Sequence, residues 1–136
     1  IHSSLIEFNI DYNNVEQLFI KLFHYWINEI KATILIPAFT PSFTKTNFYD
    51  INSKSEVGIL ADIIKNNFKD LIRTEDPLYS FVVIGPLKNV FLNCNSTTSF
   101  GENSVFEMLE KYNSKILTIN TDHLTLIHRY EELNNK

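Results

Sequence analysis

Residues 81–86 read Phe-Val-Val-Ile-Gly-Pro and predict a buried strand. Four consecutive apolar residues, closed by Gly-Pro, are typical of a strand that is covered on both faces. Working outward, two further runs have a similar character. They are Thr33-Ile34-Leu35-Ile36, which ends at Pro37, and Lys115-Ile116-Leu117-Thr118-Ile119. The three runs therefore predict three short strands.

Helical periodicity separates these runs. Apolar residues recur at three- and four-residue steps, which places them on one face of a helix. The pattern predicts helices at about 14–31 and 55–68, and a third over 105–112. Because strands alternate with helices, we expect an α/β fold, a layered α/β/α arrangement with a mainly parallel central sheet in which the three strands are neighbours.

Two pairs of residues predict where the first two helices begin. Asn13 with Glu16, and Ser53 with Glu56, have the spacing of a capping box. Segment 37–54 is rich in Thr, Ser, Asn and Pro and has no clear period. A loop of that length inside a compact domain is usually functional or mobile, so we expect it to form one wall of a site.

Composition narrows the class of protein. A chain of 136 residues with 44% hydrophobic content fits one domain with one core over 1–136. The net charge is −4 and Lys and Arg are scattered, so we expect no nucleic-acid partner. No apolar run approaches the roughly 18 residues that span a bilayer, so we expect no membrane partner. Cys94 is the one cysteine, which excludes an intrachain disulfide and suits a cytoplasmic protein.

Few residues indicate chemistry by their spacing. His128 and Glu131 are three residues apart, and on a helix they would share a face, where the carboxylate can orient a general base. An ordinary pair on a helix surface is the alternative. His123 and His128 are five residues apart without a third ligand nearby, so no metal site is predicted. The isolated glycines form neither a phosphate loop nor a dinucleotide fingerprint.

Five short segments follow one another in a particular order. They are Ile-His-Ser-Ser-Leu at 1–5, Ile-Pro-Ala-Phe-Thr at 36–40, Asp-Pro-Leu-Tyr-Ser at 76–80, Ser-Phe-Gly-Glu-Asn-Ser-Val-Phe at 99–106 and Thr-Leu-Ile-His-Arg-Tyr-Glu at 125–131. Together they resemble the aminoglycoside 3-N-acetyltransferase family. The resemblance implies acetyl transfer from acetyl-CoA to an amino group of an amino sugar or aminoglycoside, without a metal.

The resemblance also bears on the extent of the chain. Members of the family begin before the first of these segments and continue beyond the last, so we expect the fold to be incomplete relative to the family domain. The chain then resembles a fragment, a processed chain or a remnant. On this interpretation it would bind acetyl-CoA weakly and transfer little acetyl without flanking segments, because transfer depends on close positioning of the two reactants.

The resemblance implies a cofactor side of the site. His2, Ser3 and Ser4 would form a turn after a first strand and offer hydroxyl and backbone N–H groups to coenzyme A. Thr40 would line the same cleft. Simple turn capping by the serines, and a polar loop position for Thr40, are the alternatives.

The resemblance also implies four catalytic residues near Thr40, namely Asp76, Tyr79, His128 and Glu131. Resistance enzymes of the family typically read His-Pro-x-His-Ser where this chain has Asp76 and Tyr79. Aspartate is a weaker base than imidazole but can hold an ammonium group, and tyrosine can donate a hydrogen bond. Asp-Pro at this place resembles the branch associated with surface-polysaccharide sugars, which favours an amino sugar as the acceptor.

Ser99 and Phe100 would shape the acceptor side, or serve as ordinary turn residues. The implied mechanism is direct transfer, in which a base removes a proton from the attacking amine. A non-catalytic remnant that binds a ligand or partner is the alternative function. A plain interaction module that uses the α-helical stripe of Leu18, Phe19 and Trp26 is less well supported, because core packing explains that stripe. The oligomeric state stays open.

Overall fold

The computed structural model describes residues 1–5 and 11–135 and has a mixed α/β fold. Its strands are β1 His2–Ser3, β2 Ile34–Pro37, β3 Leu71–Arg73, β4 Phe81–Ile84 and β5 Thr118–Ile119. Its helices are α1 Tyr12–Asn28, α2 Phe43–Thr46, α3 Leu60–Asn67, α4 Lys88–Leu92, α5 Val105–Lys111 and α6 Ile127–Asn134. In the described part of the chain no helix is long and apolar enough to cross a membrane.

Strand β4 lies in the middle of an antiparallel sheet with the order β2-β4-β3. Side chains alternate between the two faces of a strand. Val82 and Ile84 accordingly pack in a cluster with residues of α1 and α3, whereas Phe81 and Val83 pack with residues of α4 and α5. Because both faces are covered, the strand is apolar at every position, as its sequence predicts.

A second, smaller sheet consists of β1 and β5, which pair in parallel with His2 opposite Thr118 and Ser3 opposite Ile119. The run at 115–119 is therefore not a neighbour of the other two predicted strands. Among the described strands, parallel pairing is limited to this pair, so the expected single, mainly parallel sheet is not what forms. An apolar run shows that a strand is buried, but it does not show which strand it pairs with or in which direction.

Helices α1 and α3 begin at residues that differ from those predicted by the two capping-box patterns. Helix α1 starts after Asp11, and α3 starts at Leu60 rather than near residue 55. Glu56 cannot cap α3, because its carboxylate accepts hydrogen bonds from the N–H and the hydroxyl of Ser42. On α1, Leu18 is 56% exposed, so the buried face is narrower than the predicted stripe.

Buried Arg73 orders the long segment that follows β2. Its Nη2 donates to the Ala38 carbonyl at 2.5 Å and its Nη1 to the Ser53 carbonyl at 2.7 Å. Its Nε donates to the Ser80 hydroxyl at 3.1 Å. Buried donors need such partners, and here the partners are mostly main-chain carbonyls. One guanidinium thus fastens both ends of the segment to the antiparallel sheet.

Candidate functional site

A cleft of about 860 Å³ opens beside β1 and the start of α6. It is lined by three histidines, His2, His123 and His128, and by Ser3 and Ser4. We call it the histidine cleft. It brings three residues that the resemblance assigns to acetyl-CoA together with one that it assigns to catalysis.

Strand β1 uses the backbone groups that were expected to face coenzyme A. The His2 N–H donates to the Leu117 carbonyl at 2.9 Å, and the Ser4 N–H donates to the Ile119 carbonyl at 2.9 Å. The segment therefore contains a strand of a parallel pair, which corrects the predicted turn, while its contact with coenzyme A stays a prediction. The serine hydroxyls take no part in this strand pairing, so they can donate to a ligand at this place.

The lining of the histidine cleft is acidic. Glu56 and Asp122 line it, and among the described lining residues none is Lys or Arg. The hydrogen bonds from Ser42 hold the pKa of Glu56 below its usual value. Burial lowers the pKa of His2 to about 4, so its ring is neutral at pH 7. The cleft thus favours a cationic group over an anionic one.

His128 and Glu131 lie on the same face of α6, as their spacing predicts. Nδ1 of His128 is 2.7 Å from Oε2 of Glu131, and the two side chains are 50% and 60% exposed. A carboxylate accepts, so Nδ1 carries the proton and donates. In the neutral ring with this tautomer, Nε2 carries the lone pair and can accept a proton from a ligand.

A second cleft of about 500 Å³ is lined by Asp76, Tyr79 and Ser99, and we call it the Asp76 cleft. Oδ1 of Asp76 accepts from the N–H groups of Leu78 at 2.8 Å and Tyr79 at 2.7 Å. Aspartate commonly forms such a turn with the backbone two residues on. Both bonds use Oδ1, which leaves Oδ2 outside them.

Aromatic rings lie between the two clefts. The Tyr79 ring is 5.1 Å from that of Phe39, which lines the histidine cleft, and 4.9 Å from that of Phe100. The Phe100 ring is in turn 5.7 Å from that of His128. His128 and the pair of Asp76 and Tyr79 therefore line different clefts with these rings between them. Their convergence on one substrate, with Glu131, stays a prediction.

Thr40 has a different place from the expected one. It is 5% exposed, its hydroxyl donates to the Pro77 carbonyl, and its N–H donates to the Leu78 carbonyl at 3.1 Å. A hydroxyl committed in this way fastens the Asp76 turn to the segment after β2. It is not presented to the histidine cleft.

Three residues of the histidine cleft have no functional role in the sequence-based interpretation. His123 is weighed there only as a metal ligand, Glu56 only as a helix cap, and Asp122 not at all. Across residues 1–5 and 11–135, no group of three His, Cys, Asp or Glu side chains is arranged to hold a metal ion. These three residues line the same cleft because of the tertiary structure, and no local sequence pattern predicts that they do.

A histidine that a carboxylate orients at the edge of a cleft is suited to an enzyme that works by general base catalysis. The family model described as aminoglycoside 3-N-acetyltransferase matches residues 1–136, and the chain belongs to this family. The family indicates an acetyltransferase of the aminoglycoside N-acetyltransferase type, and its members in general use acetyl-CoA. Comparison with curated proteins gave no match, and neither did comparison with solved structures.

Proposed function

We propose that this protein transfers the acetyl group of acetyl-CoA to an amino group of an amino sugar by direct attack of the neutral amine on the thioester. The observation that carries the proposal is the 2.7 Å contact between His128 Nδ1 and Glu131 Oε2 beside the histidine cleft. Membership of the acetyltransferase family supports it.

His128 is the general base of the proposed reaction. Its Nε2 takes a proton from the amine as the nitrogen–carbon bond forms. The carbon–sulfur bond then breaks, and the imidazolium returns the proton to the leaving thiolate. Glu131 keeps Nδ1 protonated and stabilises the imidazolium between these two events. Atoms and charge balance without a covalent enzyme intermediate.

The acyl donor would enter beside β1. The hydroxyl groups of Ser3 and Ser4 are suited to donate to the developing oxyanion, whereas the N–H groups of His2 and Ser4 are already bonded to the carbonyls of Leu117 and Ile119. The thioester end of acetyl-CoA is neutral and fits this lining. Its phosphates would find no cationic side chain among the described residues of the cleft, so we assign them to a position outside it.

The acceptor would be a sugar that carries ammonium groups. The carboxylates of Glu56 and Asp122 suit such a cation in the histidine cleft. Oδ2 of Asp76 suits a second one in the neighbouring cleft, where Tyr79 and Ser99 can donate hydrogen bonds. A sugar from a surface polysaccharide is the acceptor that we favour, because of Asp76-Pro77.

The test measures thiol release from acetyl-CoA by the protein expressed from its complete reading frame. Aminoglycosides and nucleotide-linked amino sugars are offered one at a time, and the acetylated product is identified by its mass. We expect turnover with at least one amino sugar. The matching sugar without its amine is the control and should give no release above background. Silence with every amine would favour the non-catalytic alternative.

A further inference from the structure

Arg129 is the buried residue of α6. Its side chain is 7% exposed, although arginine is rarely buried without partners. Its Nε donates to Glu110 at 2.6 Å, and its Nη1 donates to the carbonyls of Phe100 at 2.5 Å and Gly101 at 3.2 Å. Its Nη2 lies 3.7 Å from Glu107. One guanidinium therefore joins α6, α5 and the turn at Phe100.

Helix α6 has few other means of staying in place. It has eight residues, and a helix of that length is not stable without tertiary contacts. Its N-cap is Leu126, whose side chain has no oxygen with which to cap it. Among the described residues of α6, Arg129 is the one whose side chain is buried. At the surface, Thr98 and Glu132 add a hydrogen bond of 2.8 Å, and Tyr130 adds one to Glu110 of α5.

The position of Arg129 sets the direction of its neighbour. Successive side chains on a helix point about 100° apart, so an inward Arg129 turns His128 toward the cleft. The same guanidinium holds the carbonyl of Phe100, whose ring lies 5.7 Å from the His128 ring. The base and the ring beside it are thus fixed through one group.

We infer that Arg129 is a positioning residue, which holds the His128–Glu131 pair and the Phe100 ring in the arrangement that acetyl transfer requires. The inference rests on the proposed function for its catalytic consequence. Arginine offers a planar fork of five donors, whereas lysine offers one nitrogen. Lysine in this place keeps the charge but cannot reach both glutamates and both carbonyls.

The test compares Arg129→Lys with the parent protein in two measurements. The first records the imidazole signals of His128 in long-range proton–nitrogen NMR spectra. The nitrogen shifts report the tautomer, and the proton shifts report the ring current of Phe100. The second is steady-state kinetics. We expect the His128 signals to move toward those of a free imidazole. We expect kcat to fall about 10- to 100-fold, with KM for acetyl-CoA within about twofold, because misplacement by about 1 Å costs on that order.

Two further variants guard against a loss of fold. Lys111→Met removes the exposed partner of Glu107 on α5, which lies 3.0 Å away, and should leave both measurements unchanged. Glu110→Gln keeps an acceptor for Arg129 but removes a charge, and should give a smaller change in the same direction as Arg129→Lys. If Arg129→Lys does not fold, Glu110→Gln decides the question.

The experiment distinguishes failure of the inference about Arg129 from failure of the proposed function. Unchanged His128 signals in folded Arg129→Lys or Glu110→Gln would overturn the inference. A parent protein that transfers no acetyl would overturn the proposed function, while the NMR measurement would still decide whether Arg129 fixes the imidazole.

Discussion

Single side chains in the two clefts serve the fold and are also candidates for the reaction. Asp76 is the clearest example of this double role. Its Oδ1 closes a turn by accepting from the N–H groups of Leu78 and Tyr79. The same carboxylate is our candidate for holding an ammonium group. Asparagine closes the same kind of turn without a charge, so the two roles can be separated.

Replacing Asp76 by Asn should leave the turn intact and remove the charge. We expect the free energy of unfolding to change by less than about 0.5 kcal/mol, as at a site whose local structure is kept. We expect KM for the amino sugar to rise about tenfold, which corresponds to roughly 1.4 kcal/mol of lost binding. Chemical denaturation and steady-state kinetics measure the two effects.

Asp76→Ala is the matched control, because it removes the turn as well. It should lose about 1 kcal/mol of stability through the unpaired N–H groups. An unchanged KM in Asp76→Asn would assign Asp76 to the turn alone.

The contrast between His128 and Thr40 shows which site residues the sequence can predict. His128 meets Glu131 within one turn of one helix, so their contact follows from spacing. Thr40 donates to a carbonyl 37 residues away, and nothing in its neighbourhood in the sequence indicates that partner. Tertiary packing, rather than residue type, determines whether its hydroxyl faces a ligand.

Among the elements, the boundaries of β4 agree with the sequence to the residue, whereas the capping patterns mislead. Asn13 and Ser53 do not cap helices, but Ser104 caps α5, where its Oγ accepts from the Glu107 N–H at 3.1 Å. Capping preference is weak compared with the tertiary contacts that compete for the same side chains. Glu56, bound to Ser42, illustrates that competition.

The end of β4 requires glycine. Gly85 has φ of 123°, and a Cβ there would lie 2.3 Å from the Ala32 carbonyl oxygen. We expect Gly85→Ala to lower the free energy of unfolding by about 3 kcal/mol or more, because strain and a backbone clash add. Urea denaturation measures the loss.

Gly58→Ala provides the comparison for that prediction. Gly58 has φ of 133°, but the nearest atom to its added Cβ would be the Ser3 carbonyl oxygen at 3.5 Å, an ordinary contact. Strain without a clash should cost about 1 kcal/mol. Equal losses at the two glycines would contradict the role of the close approach to Ala32.

At the scale of the whole molecule, the histidine cleft joins distant parts of the chain. β1 pairs with β5 across more than 110 residues, and this pairing brings the His2 region next to the segment that leads into α6. Local patterns predict the strand run at 115–119, but neither β1, where a turn was expected, nor its pairing with β5. A long-range parallel pair leaves no signature in a few neighbouring residues, which is why the sequence suggested one sheet instead of two.

The most direct measurement is kcat/KM for acetyl transfer to the preferred amino sugar by the parent protein, His128→Gln and His24→Gln. His24 is the matched control, because it lies on α1 and is not among the residues that line either cleft. Its ring centroid is 4.6 Å from that of Phe68. The account predicts a fall on the order of 100-fold or more for His128→Gln, as expected when a general base is lost, and a change within about twofold for His24→Gln. Equal values for the parent protein and His128→Gln would contradict it.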